Sequence, residues 1–225
     1  MASLRQRLLA EAIGSALLFA TVVGSGIMAE RLAGGNVAVA LLGNTIATAA
    51  MLYVLITMFA PISGAHFNPA VSAIMAWRNQ LTIREAVSYT LVQTASGIVG
   101  VWIAHAMFDM PIFELSTHTR AGVGQWLGEG VATFGLIVTI LGTARHRPAS
   151  VPMSVALYIA AGYWFTSSTS FANPAITIAR SLSNSFAGIA PSGVPMFIAA
   201  QMTGAILGAA TALALFRDDG DAGPA

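Results

Sequence analysis

Two Asn-Pro-Ala tripeptides, at residues 68–70 and 173–175, constrain this chain more than any other feature. Each lies in a short apolar stretch, near 66–77 and 171–186, that is too short to cross a bilayer, since a spanning helix needs about 20 apolar residues. The residue before a proline is driven out of helical geometry. Irregular backbone survives at membrane depth only inside protein or beside a water-filled cavity. A membrane chain with two such stretches must therefore wrap spanning helices around them. Composition supplies the membrane: 56% of the 225 residues are hydrophobic and 8% charged, against roughly 25% charged in soluble domains.

The longer apolar segments fall at about 7–28, 37–59, 83–105, 123–143, 151–168 and 195–216. Six spans fill the chain and predict one domain over 1–225, with a first repeat at about 7–105, a second at about 123–216 and a polar tail at 217–225. Arg5 and Arg7 precede an apolar run in the manner of a signal peptide, but Glu11 interrupts that run and it continues to about Met28. It reads as a retained first span. With the N-terminus inside, Arg5, Arg7, Arg78, Arg84, Arg145, Arg147 and Arg217 lie on the cytoplasmic side. Arg31, Arg120 and Arg180 then lie outside. This bias predicts a multi-pass inner-membrane protein with both termini cytoplasmic.

The halves repeat. LLAEAIGSALLFATVVGSG, SGAHFNPAVS and TLVQTASGIVG in the first match QWLGEGVATFGLIVTILG, STSFANPAITIA and IAAQMTGAILG in the second. The landmarks run Glu11, Asn68, Gln93 and Glu129, Asn173, Gln201. Three spans per half is an odd number, so the second half enters the membrane inverted. Short segments at matching places in inverted halves point to a midplane site.

Asn is a strong helix N-cap and Pro suits the first helical position. Asn68-Pro69-Ala70 and Asn173-Pro174-Ala175 thus read as starts of half-helices that meet at the bilayer centre. Each brings the positive end of its dipole, about half a charge. A capping Asn engages its oxygen with the backbone and leaves its amide as a fixed donor to a passing solute. The combined field repels cations, hydronium included. The carbonyls of Gly64, Ala65, His66 and Phe171, in the non-helical approaches, are expected to line the polar path.

These paired motifs, and SGAHFNPAVS above all, resemble the aquaporin (major intrinsic protein) family over about residues 8 to 216. The resemblance implies an all-α bundle of six transmembrane helices plus two half-helices, a pore in each subunit and a homotetramer. It implies a passive channel for water and small neutral solutes in the lipid bilayer, with no cofactor, no metal, no nucleic-acid partner and no enzymatic activity. The chain has no Cys, and its ten basic residues are all Arg, without a basic stripe.

Glu11 and Glu129 admit two readings: a proton relay, or a brace that accepts hydrogen bonds from the irregular loop of its own half. The repeat symmetry favours the brace. His66 suits loop orientation better than a pH switch, and His105, His118 and His146 share no metal-binding spacing. Ser167, Ser168 and Ser170 lack a base, which speaks against an intramembrane enzyme. A coupled secondary transporter shares the inverted repeat but calls for asymmetric buried charges.

The chain departs from the family after the second motif. Most members carry Arg there, at a narrow outer filter; here the residue is Ile176. By spacing from the motifs, the remaining filter positions are Thr48, Ala161 (or Gly162 if the helix is shifted) and Ser170. All are small, so the expectation is a wide, weakly polar constriction. Arg180, one turn beyond Ile176, either lends charge to the mouth or sits on the surface. FANPAITIARSLSNSFAGIAP further resembles a bacterial subgroup associated with arsenic-resistance genes, which implies glycerol, urea, arsenite or methylated arsenicals as neutral solutes.

Overall fold

The computed structural model describes residues 2–216; the polar tail expected from Arg217 onward lies outside them. The described residues form eight α-helices: α1 (Leu4–Leu32), α2 (Val37–Ser63), α3 (Pro69–Trp77), α4 (Ile83–Met107), α5 (Val123–His146), α6 (Val151–Phe165), α7 (Pro174–Arg180) and α8 (Val194–Leu215).

Local signals set the helix starts. Ser3 with Gln6 and Thr82 with Glu85 form capping boxes for α1 and α4, and Asn36 caps α2. α6 and α8 each begin after a 3₁₀ turn and carry Pro in their first turn. Five of these helices, α1, α2, α4, α5 and α8 with its leading turn, are long and apolar enough to cross a membrane. α6 has only 15 residues, about 22 Å of helix, and the 3₁₀ turn at 148–150 adds about 6 Å. The expected span of 151–168 stops at Phe165, where Thr166 takes extended geometry and its hydroxyl turns back to the Gly162 carbonyl. α2 runs four residues past its expected end at 59, to Ser63, and terminates at left-handed Gly64 (φ 87°).

The halves pack alike. α1 lies against α2 and α4, and α5 against α6 and α8. The halves meet where α2 packs on α6, α3 on α8 and α4 on α7. The same close crossing occurs in both: a Cβ at Gly100 would collide with the Ala16 carbonyl, and one at Gly208 with the Phe134 carbonyl. Ala16 and Phe134 stand at equal offsets from Glu11 and Glu129, as do Gly100 and Gly208 from Gln93 and Gln201. Backbones approach this closely only where a side chain is missing. Large apolar residues such as Leu17, Ile46, Leu91, Leu127 and Leu157 remain exposed on the outer surface, while Glu11, Gln93, Glu129 and Gln201 are fully buried. That inversion of the soluble-protein pattern suits lipid outside and polar groups within.

Candidate functional site: a lumen between two half-helices

Asn68 and Asn173 start α3 and α7 in near-identical extended geometry, φ/ψ −155°/117° and −157°/113°. The Asn68 side-chain oxygen accepts from the Ala70 N–H at 2.9 Å. That of Asn173 accepts from the N–H groups of Ala175 at 3.0 Å and Ile176 at 3.3 Å. The amides cross over: Asn68 Nδ2 donates to the Ala172 carbonyl at 2.7 Å, and Asn173 Nδ2 donates to the Phe67 carbonyl at 2.8 Å. From the sequence, the whole amide is expected to face the lumen. Here one proton of each knits the halves together, and one remains for the lumen that both residues line.

The chain enters each cap through left-handed residues that are not glycine: Ala65 (φ 51°) and Phe67 (φ 48°) before Asn68, Ser170 (φ 52°) and Ala172 (φ 48°) before Asn173. Such residues cost about 1–2 kcal/mol each, so the fold must hold them. Glu11 accepts from the backbone N–H of His66 at 3.0 Å and Phe67 at 2.7 Å, from the Ser63 hydroxyl at 2.7 Å and from Gln93 Nε2 at 2.8 Å. Glu129 accepts from the N–H groups of Phe171 at 2.8 Å and Ala172 at 2.9 Å, and from Gln201 Nε2 at 2.5 Å. Each Gln then reaches the half-helix beyond its Asn, at Ser72 Oγ (3.1 Å) and Thr177 Oγ1 (2.8 Å). Both carboxylates are thus engaged by backbone and side-chain donors of their own half. His66 Nδ1 lies 3.1 Å from Ser72 Oγ, and its ring packs edge-on to Tyr89.

α3 and α7 diverge from the crossing, and the lumen follows them from Gln80 and Val151 at one end to Arg180 at the other. It gives water centres about 260 Å³. Gly64, Ala65, His66 and Phe171 line it, as do Thr48, Ser170 and Ile176. Ala161 does not. It sits on the exposed outer face of α6, whose lumen face is Val155, Ile159 and Tyr163 at helical spacing. Gly162 is buried against Ser170, where a Cβ would come within 2.7 Å of Oγ. Counting back from Asn173 crosses the non-helical linker 166–173, which scrambles helical phase. The ring expected to lack a bulky side chain therefore contains Tyr163, its hydroxyl 3.4 Å from Thr48 Oγ1.

Arg180 is not a surface residue: it is 2% exposed and lines the lumen. Its Nε donates to the Ala187 carbonyl, and its guanidinium lies over the Phe171 ring, 3.3 Å from the centroid. Arg120, whose inward course no sequence signal marks, stands 5.2 Å from the same centroid. It donates to the carbonyls of Gly188 (2.8 Å), Ser168 (3.4 Å) and Phe186 (3.4 Å). Among the described residues no three His, Cys, Asp or Glu side chains cluster as metal ligands.

The model of the major intrinsic protein family matches residues 1–167. The chain is 52% identical over 214 residues to the aquaglyceroporin AqpS of Rhizobium meliloti (strain 1021), covering 95% of this chain and 90% of that one. Its backbone matches the X-ray structure of the aquaglyceroporin from Plasmodium falciparum with a TM-score of 0.65 at 20% identity, over 92% of this chain and 95% of that one. Inverted halves, crossed half-helices and sequence agree: the chain belongs to the major intrinsic protein family, the membrane channels that include the aquaporins.

Proposed function

We propose that the chain is a passive pore for water and small uncharged solutes, glycerol, urea and trihydroxyarsenic among them, that excludes ions and protons. The observation that carries this reading is the meeting of Asn68 and Asn173 inside the lumen, each capping a half-helix and crossing to the other half. Two dipole ends aimed at one point disfavour a cation there. The remaining proton of each amide serves as a donor to a solute oxygen, and the carbonyls of Gly64, Ala65, His66 and Phe171 serve as acceptors along the path. This donor-then-acceptor wall suits small neutral molecules that both accept and donate hydrogen bonds.

In this reading Thr48, Ser170 and Ile176 line the outer constriction together with Tyr163. The missing charge at position 176 leaves room for solutes larger than water, and the Rhizobium relative's description as an aquaglyceroporin supports glycerol. Four subunits around an axis in the inner membrane, with both termini cytoplasmic, complete the assembly. Coupled transport fits less well, because Glu11 and Glu129 are committed to matching backbone donors in both halves.

Stopped-flow light scattering on proteoliposomes tests the reading with water, glycerol, urea and arsenite. Flux is expected to follow each solute's own gradient, without saturation over a wide concentration range. Uptake driven uphill by an imposed proton or sodium gradient refutes it.

A further inference from the structure

We infer that the charge selector of the outer mouth is the arginine pair Arg180 and Arg120, one turn beyond the uncharged position 176 and held there by the loop 186–188 and the Phe171 ring. The inference rests on the channel reading above.

Arg180 is the last residue of α7, so its charge stands at the negative end of that helix, where a cation is favoured. It lies one turn beyond Ile176, and both line the lumen. Its Nε is taken by Ala187 and its flat face by Phe171. Nη1 and Nη2 make no hydrogen bond among the described residues, which leaves them to the lumen. Arg120 comes from the loop before α5 and is fixed by three carbonyls. Between them the two arginines hold the consecutive carbonyl oxygens of Phe186, Ala187 and Gly188.

Neither arginine forms an ion pair among the described residues, where the one salt bridge joins Arg7 to Glu85. Carbonyl dipoles and a ring face solvate a guanidinium but leave its net charge in place. A permeating cation thus meets the Arg180 charge at the lumen wall, with Arg120 5.2 Å from the centre of the neighbouring Phe171 ring, in a poorly screened setting before it reaches the midplane. To a neutral solute the Arg180 guanidinium is a hydrogen-bond donor rather than a barrier. Bore and charge are therefore set by different residues: position 176 with Tyr163 and Thr48 governs size, and Arg180 with Arg120 governs sign.

The test is cation current measured against water and glycerol flux in the same proteoliposomes, with sodium and methylammonium as probes. Arg180→Gln keeps a donor for Ala187 and removes the charge; Arg180→Lys keeps the charge and loses the flat stack. Cation permeability relative to water is expected to rise about tenfold or more in Arg180→Gln and to change less than about threefold in Arg180→Lys. Normal water flux with wild-type cation tightness in Arg180→Gln overturns the inference, as does equal leakage in both variants. If Arg180→Gln carries no water flux, Arg120→Gln replaces it; a rise of about threefold is expected there, and cation tightness counts against the pair. A wild type that passes neither water nor glycerol removes the channel reading and this inference with it. A water-conducting, cation-tight Arg180→Gln removes only the inference.

Discussion

The side-chain amide of Asn68 donates to the carbonyl oxygen of Ala172, the residue immediately before Asn173, and Asn173 returns the bond to Phe67, the residue immediately before Asn68. The two bonds measure 2.7 and 2.8 Å and join positions 104 and 106 residues apart. Each half thus supplies the partner for a carbonyl that the other half's left-handed turn leaves unpaired.

Asn173→Asp removes the donor to Phe67 and sets a carboxylate where two dipole ends converge. Proton or cation conductance should rise in folded protein, because the negative charge offsets the helix-end field. Stability should fall by about 1–3 kcal/mol for the orphaned carbonyl. Asn68→Asp should behave as its mirror. Planar-bilayer conductance together with thermal denaturation in detergent checks both parts; wild-type conductance in folded variants counts against the midplane barrier.

Glu129→Gln should destabilise the fold by about 2–4 kcal/mol. Glutamine offers one acceptor oxygen where the carboxylate uses two, and its amide would face the N–H of Phe171 or Ala172. Glu11→Gln meets the same geometry at His66 and Phe67. The two variants should lose similar amounts of melting temperature. A variant that keeps wild-type melting while abolishing proton movement would instead mark a relay.

Ile176→Arg inserts a long side chain into a buried lumen position beside Ser170 and Tyr163. Glycerol, urea and arsenite permeability should drop about tenfold or more, while a fraction of water flux survives. Equal arsenite and glycerol passage in variant and parent would show that position 176 does not bound the bore.

Leu at position 161 and Leu at position 162 should have opposite outcomes. Ala161 faces outward on α6, so Ala161→Leu should leave flux within about twofold. Gly162 abuts Ser170 at the lumen wall, so Gly162→Leu should close the path or unfold the linker. Matched solute fluxes at equal reconstituted protein decide between them.

The sequence showed what local chemistry controls. An Asn followed by Pro caps a helix by acting on its own backbone, so both half-helix starts were readable from tripeptides. The contacts of Glu11 and Glu129 repeat because each half carries the same kind of non-helical loop beside its buried Glu. The lumen face of α6 was not readable, since the count to it crosses the non-helical residues between Phe165 and Pro174. The inward course of Arg180 depends on Ala187 folding back to accept its Nε, and that of Arg120 on carbonyls about 50 to 70 residues away. Contacts of that range leave no periodicity to detect.

The left-handed residues on the approach to each cap bear on how such a pore can change over evolutionary time. Where residues 64–67 and 170–172 form the wall, the groups on offer include peptide oxygens, which every amino acid carries alike. A codon change there alters the scaffold's tolerance, since Phe67 or Ala172 must still adopt positive φ, but it cannot rewrite the peptide's chemistry. In the proposed pore, drift in solute preference falls instead to positions such as 163, 176 and 180, which line the lumen from helices.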